Sequence, residues 1–152
     1  FYECYLATIE KKWGGAYLTR NFFYCLSNKL KNKILLFLCY DGDTPIAGAL
    51  NLIGSKALYG RNWGSLRDVP FLHFEMCYYQ AIDFAIRNGI ERVEAGAQGL
   101  HKVSRGYLPQ KTYSAHKILN PQFEEAIKTF LLQEKSHNQE EAILINKNSP
   151  YK

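Results

Sequence analysis

Three apolar runs separated by two short turns constrain the fold of this chain more than any other feature. Ile34 to Tyr40 is continuously apolar, and Asp41-Gly42-Asp43-Thr44-Pro45 follows it. Ile46 to Ile53 is apolar with small residues, Gly54-Ser55 turns the chain again, and Ala57 to Trp63 completes the set. Runs of this length bounded by Gly, Asp and Pro read as strands, and turns this short leave only antiparallel neighbours. The expectation is a three-stranded meander whose register the tight turns fix.

Around the meander the period changes to that of helices. Tyr2, Tyr5, Leu6 and Ile9 recur at helical spacing and stop near Gly14-Gly15. A second helix is expected from Thr19 to Leu30, closed by Asn32. After the breaker Arg67-Asp68-Val69-Pro70, Phe71 to Asn88 reads as a long helix, with Phe71, Phe74, Tyr78, Ala81, Ile82, Ala85 and Ile86 on or near one face. Asp83 and Arg87 have i,i+4 spacing. Asn88-Gly89 is a C-terminal stop, and Ile90 to Ala95 is a short strand, making a β-α-β crossover with a parallel pair.

Downstream, residues 100–106 can form one helical turn, and Thr112 to Leu119 alternates as a strand. Asn120-Pro121 opens a helix with Asn120 as cap and Glu124-Glu125 in its first turn, running to Glu134. Lys135 to Glu141 is polar, and Ala142 to Ile145 is expected as a small strand. The order predicts an α/β fold: one mixed, mostly antiparallel sheet flanked by helices on both faces. The expected division is a domain over 1–135 and a polar C-terminal tail over 136–152.

Composition narrows the function classes. The 152 residues carry 47% hydrophobic and 14% aromatic side chains, enough for one ordinary core. The net charge of +5 favours anionic partners. Lys29, Lys31 and Lys33 read as a solvated helix end, since they lack the interleaved aromatics of single-strand binders. Cys4, Cys25, Cys39 and Cys77 lie in apolar stretches without C-x-x-C or zinc spacing, so buried free thiols, a reducing compartment and a cytoplasmic location are expected. No apolar run is long enough to span a membrane, and no leader is visible. No His, Asp and Glu set has metal spacing, and no metal is expected.

The polar segment from Glu94 to His116 is the leading candidate for chemistry. It follows a buried strand, where open α/β sheets collect ligands. Gly96 and Gly99 allow close backbone approach. Lys102 and Arg105, three apart, suit a phosphate or a developing oxyanion. Gln98, His101, Tyr107, Tyr113 and His116 are candidate lining groups, although a glycine-rich loop with solvated cations gives the same pattern. Glu75, with Tyr79 one turn on, is a candidate carboxylate base of raised pKa; a helix-start acid, or a buried acid paired with an arginine, is the bland alternative. Glu94 is the second candidate. His73 reads as structural and His137 as solvated. Arg61-Asn62-Trp63-Gly64-Ser65-Leu66 partly fits an acyl-CoA phosphate loop, but Leu66 replaces its last small residue and Pro70 delays the helix. Trp63 is a core or cleft-wall aromatic. Nucleophilic covalent catalysis has no motif here.

Lys12-Trp13-Gly14, Tyr17-Leu18-Thr19-Arg20, Gly60-Arg61-Asn62-Trp63-Gly64, His73-Phe74-Glu75-Met76-Cys77-Tyr78-Tyr79-Gln80, Glu94-Ala95-Gly96-Ala97-Gln98-Gly99, His101-Lys102, Arg105-Gly106-Tyr107 and Tyr113-Ser114-Ala115-His116 together resemble the FemAB-like family. These are bacterial proteins labelled peptidoglycan biosynthesis/recognition, within the GNAT superfamily. The resemblance covers about residues 1–135 and looks like the second, C-terminal GNAT-type domain of a two-domain protein, in keeping with a chain that starts at Phe1. It implies a GNAT-like fold, an N-terminal partner domain missing from this chain, and a peptidoglycan-precursor or other small-molecule substrate. Fem-type enzymes use aminoacyl-tRNA and other GNAT members acyl-CoA, so either is an implied donor, with tRNA as a partner. In Fem-type transferases a basic residue follows the penultimate-strand region; Lys102 stands in a comparable place, which implies it as a candidate stabiliser of the acyl carbonyl. The expected function is N-acyl transfer to an amine; the alternative is a non-catalytic module that recognises a cell-wall precursor or an anionic ligand.

Overall fold

The computed structural model describes residues 1–11, 14–96 and 99–151, with Leu100 described in its backbone only. The chain divides into two compact units, Phe1–Ala97 and Gln98–Lys152.

The meander forms in the first unit as β1 (Ile34–Asp41), β2 (Thr44–Ile53) and β3 (Ala57–Ser65). The β1–β2 ladder closes at Asp41 and Thr44, and Gly42 takes the left-handed conformation (φ 59°) that the two-residue turn requires. β4 (Arg92–Glu94) pairs parallel with Ala57, Leu58 and Tyr59 of β3, giving the order β1-β2-β3-β4. The expected crossover and parallel strand are both present. The sheet is therefore mixed and mostly antiparallel, as the sequence pattern implied.

Each face of the sheet is set by one row of side chains. Leu38, Gly48 and Gly64 stand side by side across three strands. Helix α1 (Tyr2–Glu10) lies on this row. A Cβ at Gly64 would overlap the Cys4 carbonyl, and one at Gly48 would come within 2.8 Å of the Phe1 ring. Two glycines thus let a helix backbone approach the sheet. The Thr8 hydroxyl accepts from the Ser65 N–H at 3.0 Å, tying α1 to the end of β3. Helix α2 (Arg20–Lys29), capped by Thr19, adds Phe23 against Phe1, Tyr2 and Tyr5 at 5.4–5.7 Å between ring centroids. These ring contacts, each worth about 0.5–1.5 kcal/mol beyond burial, outweigh the exposed Arg20–Glu3 ion pair.

The neighbouring row, Phe37, Ala49 and Trp63, faces the other way. Phe37 meets Phe84 at 6.4 Å and Trp63 meets His73 at 5.5 Å, so the helical run after β3 covers this face. That run is α3 (Leu72–Phe74), a π-turn over Glu75–Tyr79, and α4 (Gln80–Arg87). It begins one residue later than expected because Phe71 after Pro70 is left-handed (φ 63°). Its buried stripe is Met76, Tyr78, Ala81 and Ala85; Phe71 and Ile86, assigned to that stripe from sequence, are 79% and 74% exposed. Arg87 donates to the Asp83 carbonyl oxygen at 3.2 Å.

In the second unit, residues 100–106 do turn, as a 3-10 helix over Leu100–Arg105. Two expectations fail. Thr112 to Leu119 is irregular: residues 111–117 are all exposed, and an alternating pattern without a ladder partner cannot hold a strand. The closing helix does not stop at Glu134. α5 spans Pro121–Lys147 and absorbs both the polar stretch and the expected strand Ala142–Ile145. No Gly or Pro interrupts those 27 residues, so nothing ends the helix. Its start is as expected: Asn120 Oδ1 accepts from the N–H groups of Gln122 and Phe123 at 3.0 and 3.1 Å.

Candidate functional site

The candidate residues fall in both units, and each unit has its own geometry. In the first, β3 outruns its parallel partner. The β3–β4 ladder ends at Tyr59 and Glu94, while β3 continues to Ser65. Just past that point β3 holds one residue more than β2: Leu50 faces Asn62, Asn51 faces Gly60, and Arg61 is the extra residue of a bulge. This corrects the phosphate-loop expectation for Arg61 to Leu66. Residues 61–65 are strand, and the following helix begins only at Leu72. Arg61 is exposed, with Nη1 3.5 Å from the Tyr17 hydroxyl. Trp63 is half-buried against His73.

Glu75 and Tyr79 bound the π-turn, where five residues take the place of a regular turn. Such insertions concentrate at functional positions. The expected buried carboxylate is not found there. Glu75 is exposed and accepts from Gln80 Nε2 at 2.8 Å, because the π-turn directs Met76 and Tyr78 inward instead. Tyr79 is 45% exposed. His73 lies among Trp63, Phe74 and Tyr78, with centroids at 5.5–5.6 Å, a structural setting of the kind its sequence context suggested. Glu94 is half-buried and ion-paired with Arg92 Nε at 2.8 Å. Gly96 is left-handed, with φ 75°.

In the second unit Gly99 (φ 103°) and Gly106 (φ 84°) bound the 3-10 turn. A 3-10 helix has three residues per turn, so Lys102 and Arg105 stand one above the other on one face. Half-buried Lys102 is held below the usual lysine pKa by desolvation. Arg105 folds one nitrogen back on the turn, donating to the His101 carbonyl at 2.6 Å and to Ser104 Oγ at 3.1 Å. The His101 ring packs on Gly99, where a Cβ would come within 2.6 Å of it. Tyr107 is half-buried. Tyr113 is 84% exposed with Lys111 Nζ 5.4 Å over its ring, and the exposed His116 meets Ser114 Oγ at 3.0 Å. Gln98 lies outside the described residues, as do Lys12, Trp13 and Ala97 of the motifs above.

Charge distribution adds a signal that motif spacing does not register. Between Glu94 and Glu124 the chain carries Lys102, Arg105, Lys111 and Lys117 and no acidic residue. A second acid-free run, residues 11–40, carries Lys11, Lys12, Arg20, Lys29, Lys31 and Lys33. The cysteines also differ from expectation: Cys4 is buried, Cys39 and Cys77 are half-buried, and Cys25 is exposed on α2. Among the described residues no three His, Cys, Asp or Glu side chains are grouped as metal ligands, and no helix is long and apolar enough to cross a membrane.

A mostly antiparallel four-stranded sheet, a helix pair on one face and a crossover helix on the other define an α/β domain of GNAT-like architecture. The particular family follows from the sequence: the chain belongs to the FemAB-like family, described as peptidoglycan biosynthesis/recognition, whose model matches residues 1–152. That match runs through the tail, beyond residue 135, and gives no support to placing the chain as the C-terminal half of a longer protein. A comparison with curated proteins gives no match.

Proposed function

We propose that this domain transfers an acyl or aminoacyl group to an amine of a peptidoglycan precursor. The observation that carries the reading is the cation pair on the 3-10 turn. Lys102 and Arg105 share a face between two glycines of positive φ, in a stretch without acidic residues. Direct attack of an amine on an acyl carbonyl builds negative charge on the carbonyl oxygen. Lys102 is the group assigned to that oxygen, and its partial desolvation strengthens its field. Arg105, anchored to the backbone, adds a second, oriented charge. Tyr107, Tyr113, His101 and His116 are assigned to donor contacts; Arg61, Trp63, Tyr79 and Gly96 are the first unit's candidate contacts. Glu75 and Glu94 are the candidate proton acceptors.

The exposure of Glu75 and the ion pairing of Glu94 favour a second reading, a recognition module without turnover, because neither carboxylate is a buried base. The two readings part in one assay. The chain is incubated with an acyl-CoA or aminoacyl-tRNA and a UDP-linked muropeptide, and product is followed by mass spectrometry. Lys102→Ala is expected to lower kcat by roughly 10²–10³ with little change in KM, the usual loss for one oxyanion donor. Full activity in Lys102→Ala removes that assignment. Thermal stabilisation by the muropeptide alone, with no product from either donor, establishes the recognition module instead.

A further inference from the structure

The bulge in β3 sets side by side two polar groups whose needs are complementary. Asn62 shares a sheet row with Leu50 and therefore a face with Gly64, the face on which α1 lies. Arg61 turns to the same face: its Nη1 is 3.5 Å from the Tyr17 hydroxyl, and the Tyr17 ring sits edge-on to Tyr5 of α1 at 6.3 Å. In a regular strand two consecutive side chains point to opposite faces. Here the extra residue aims both the same way.

Each group is short of a partner of the opposite kind. Asn62 Oδ1 is shielded from water and accepts no hydrogen bond, which is rare for a buried polar atom. Arg61 is a fork of donors with only a long contact to a neutral phenol. The other arginines differ: Arg20, Arg67 and Arg92 are paired with Glu3, Asp41 and Glu94, and Arg87 and Arg105 donate to backbone carbonyls. Among the described residues no carboxylate pairs with Arg61. The complement of this pair is an anionic fork adjoining an N–H. A free sulfate satisfies Arg61 and offers no hydrogen-bond donor to Asn62.

We propose that Arg61, Asn62 and Tyr17 form a receptor for the free carboxyl end of a short peptide. The Arg61 guanidinium takes the terminal carboxylate as a bidentate pair. Asn62 Oδ1, turned outward by rotation of its half-buried side chain as the ligand enters, takes the N–H of the last peptide bond, and the Tyr17 hydroxyl, released from Arg61, bonds the carboxylate. Assigning that peptide to a cell-wall precursor rests on the transferase or recognition reading above; the carboxyl-end recognition does not.

The test is therefore a binding measurement independent of turnover. N-acetyl-dialanine, all-L and all-D, is titrated into the chain as the free acid and as the C-terminal amide, with binding followed by calorimetry and by the NMR signals of the Asn62 side-chain amide. Saturable binding of an acid form, at least tenfold weaker for its amide, and an Asn62 signal that moves only with the acid are expected. Arg61→Gln lowers the affinity tenfold or more while its melting temperature stays that of the parent, since Arg61 is exposed; Arg61→Lys recovers part of it. Asn62→Leu weakens the peptide acid but leaves any binding of sulfate unchanged. Equal affinity for acid and amide, no loss in Arg61→Gln, no binding of either acid at millimolar concentration, or phosphate competing as well as the peptide each overturns the proposal. Peptide binding without product in the transfer assay leaves this receptor standing and removes the transferase.

Discussion

Among single residues, the cysteines give the sharpest pH prediction. Burial pushes the Cys77 thiol from its ordinary 9.0 up to about 12. The unfolded chain therefore releases this proton near pH 9, while the folded chain holds it to about pH 12. Between those values the unfolded state binds fewer protons, so stability falls as pH rises, by about 1.4 kcal/mol per pH unit at most. Below pH 9 the contribution is fully retained. Urea unfolding of the parent and of Cys77→Ala at pH 8 to 10.5 should show a steeper alkaline loss in the parent; identical slopes would exclude buried Cys77 as the cause. In the folded chain a thiol reagent should label Cys25 first, with Cys77 reacting on unfolding. The sequence pattern could not separate these thiols, because Phe22, Phe23 and Leu26 surround Cys25 as apolar neighbours while its own position on α2 faces outward. Lys102 and Arg105 were legible because two glycines isolate a three-residue spacing. Glu75 was not: its exposure follows from a π-turn that no helical periodicity encodes. The same limit hid the pairing of Arg61 with Asn62, since a bulge is visible only in the register of two strands.

Between elements, the contact that decides the fold of the first unit is α1 on β3. A Cβ at Gly64 would fall on the backbone of Cys4 and Tyr5, and backbone cannot rotate away as a side chain can. Gly64→Ala is expected to destabilise by about 2–3 kcal/mol, the upper part of the overpacking range. Gly15→Ala is the matched control, with nothing within 4 Å of its Cβ and no positive φ; a change within about 0.5 kcal/mol is expected there. Equal melting temperatures for the two variants would show that α1 does not seat on Gly64 in solution. The meander was legible because short turns and continuous apolar runs leave few alternatives, and β4 followed from the crossover rule. Thr112–Leu119 was misread because alternation reports a half-buried face only where a partner strand exists. α5 was misread in the opposite sense: the polar run Lys135–Glu141 reads as loose, yet it contains no Gly or Pro to end a helix.

At the scale of the whole chain, the formal charge of +5 is unevenly distributed, and the distribution bears on the donor. Residues 95–123 carry Lys102, Arg105, Lys111 and Lys117 without an acid, whereas α5 and the residues after it carry Glu124, Glu125, Glu134, Glu140 and Glu141 against Lys128, Lys135, Lys147 and Lys152. The irregular stretch before α5 is thus one of two acid-free runs of cations, the other being residues 11–40 with Lys11, Lys12, Arg20, Lys29, Lys31 and Lys33. Tyr113, 84% exposed beneath Lys111, supplies the aromatic face on which an unpaired base can stack. Under the transferase reading this combination suits the single-stranded end of an aminoacyl-tRNA better than a compact thioester donor. Four cations tracking single-stranded phosphates predict that log Kobs for such an end falls with log salt at a slope of about −3. Lys111→Gln with Lys117→Gln should bring that slope to about −1.4, while Tyr113→Ala should weaken binding at every salt concentration and leave the slope unchanged. Fluorescence anisotropy with a labelled oligonucleotide of the tRNA 3′ end, from 50 to 300 mM salt, measures both effects. A slope near zero, or one that the double lysine variant does not alter, would separate this stretch from nucleic acid and turn the choice of donor towards acyl-CoA.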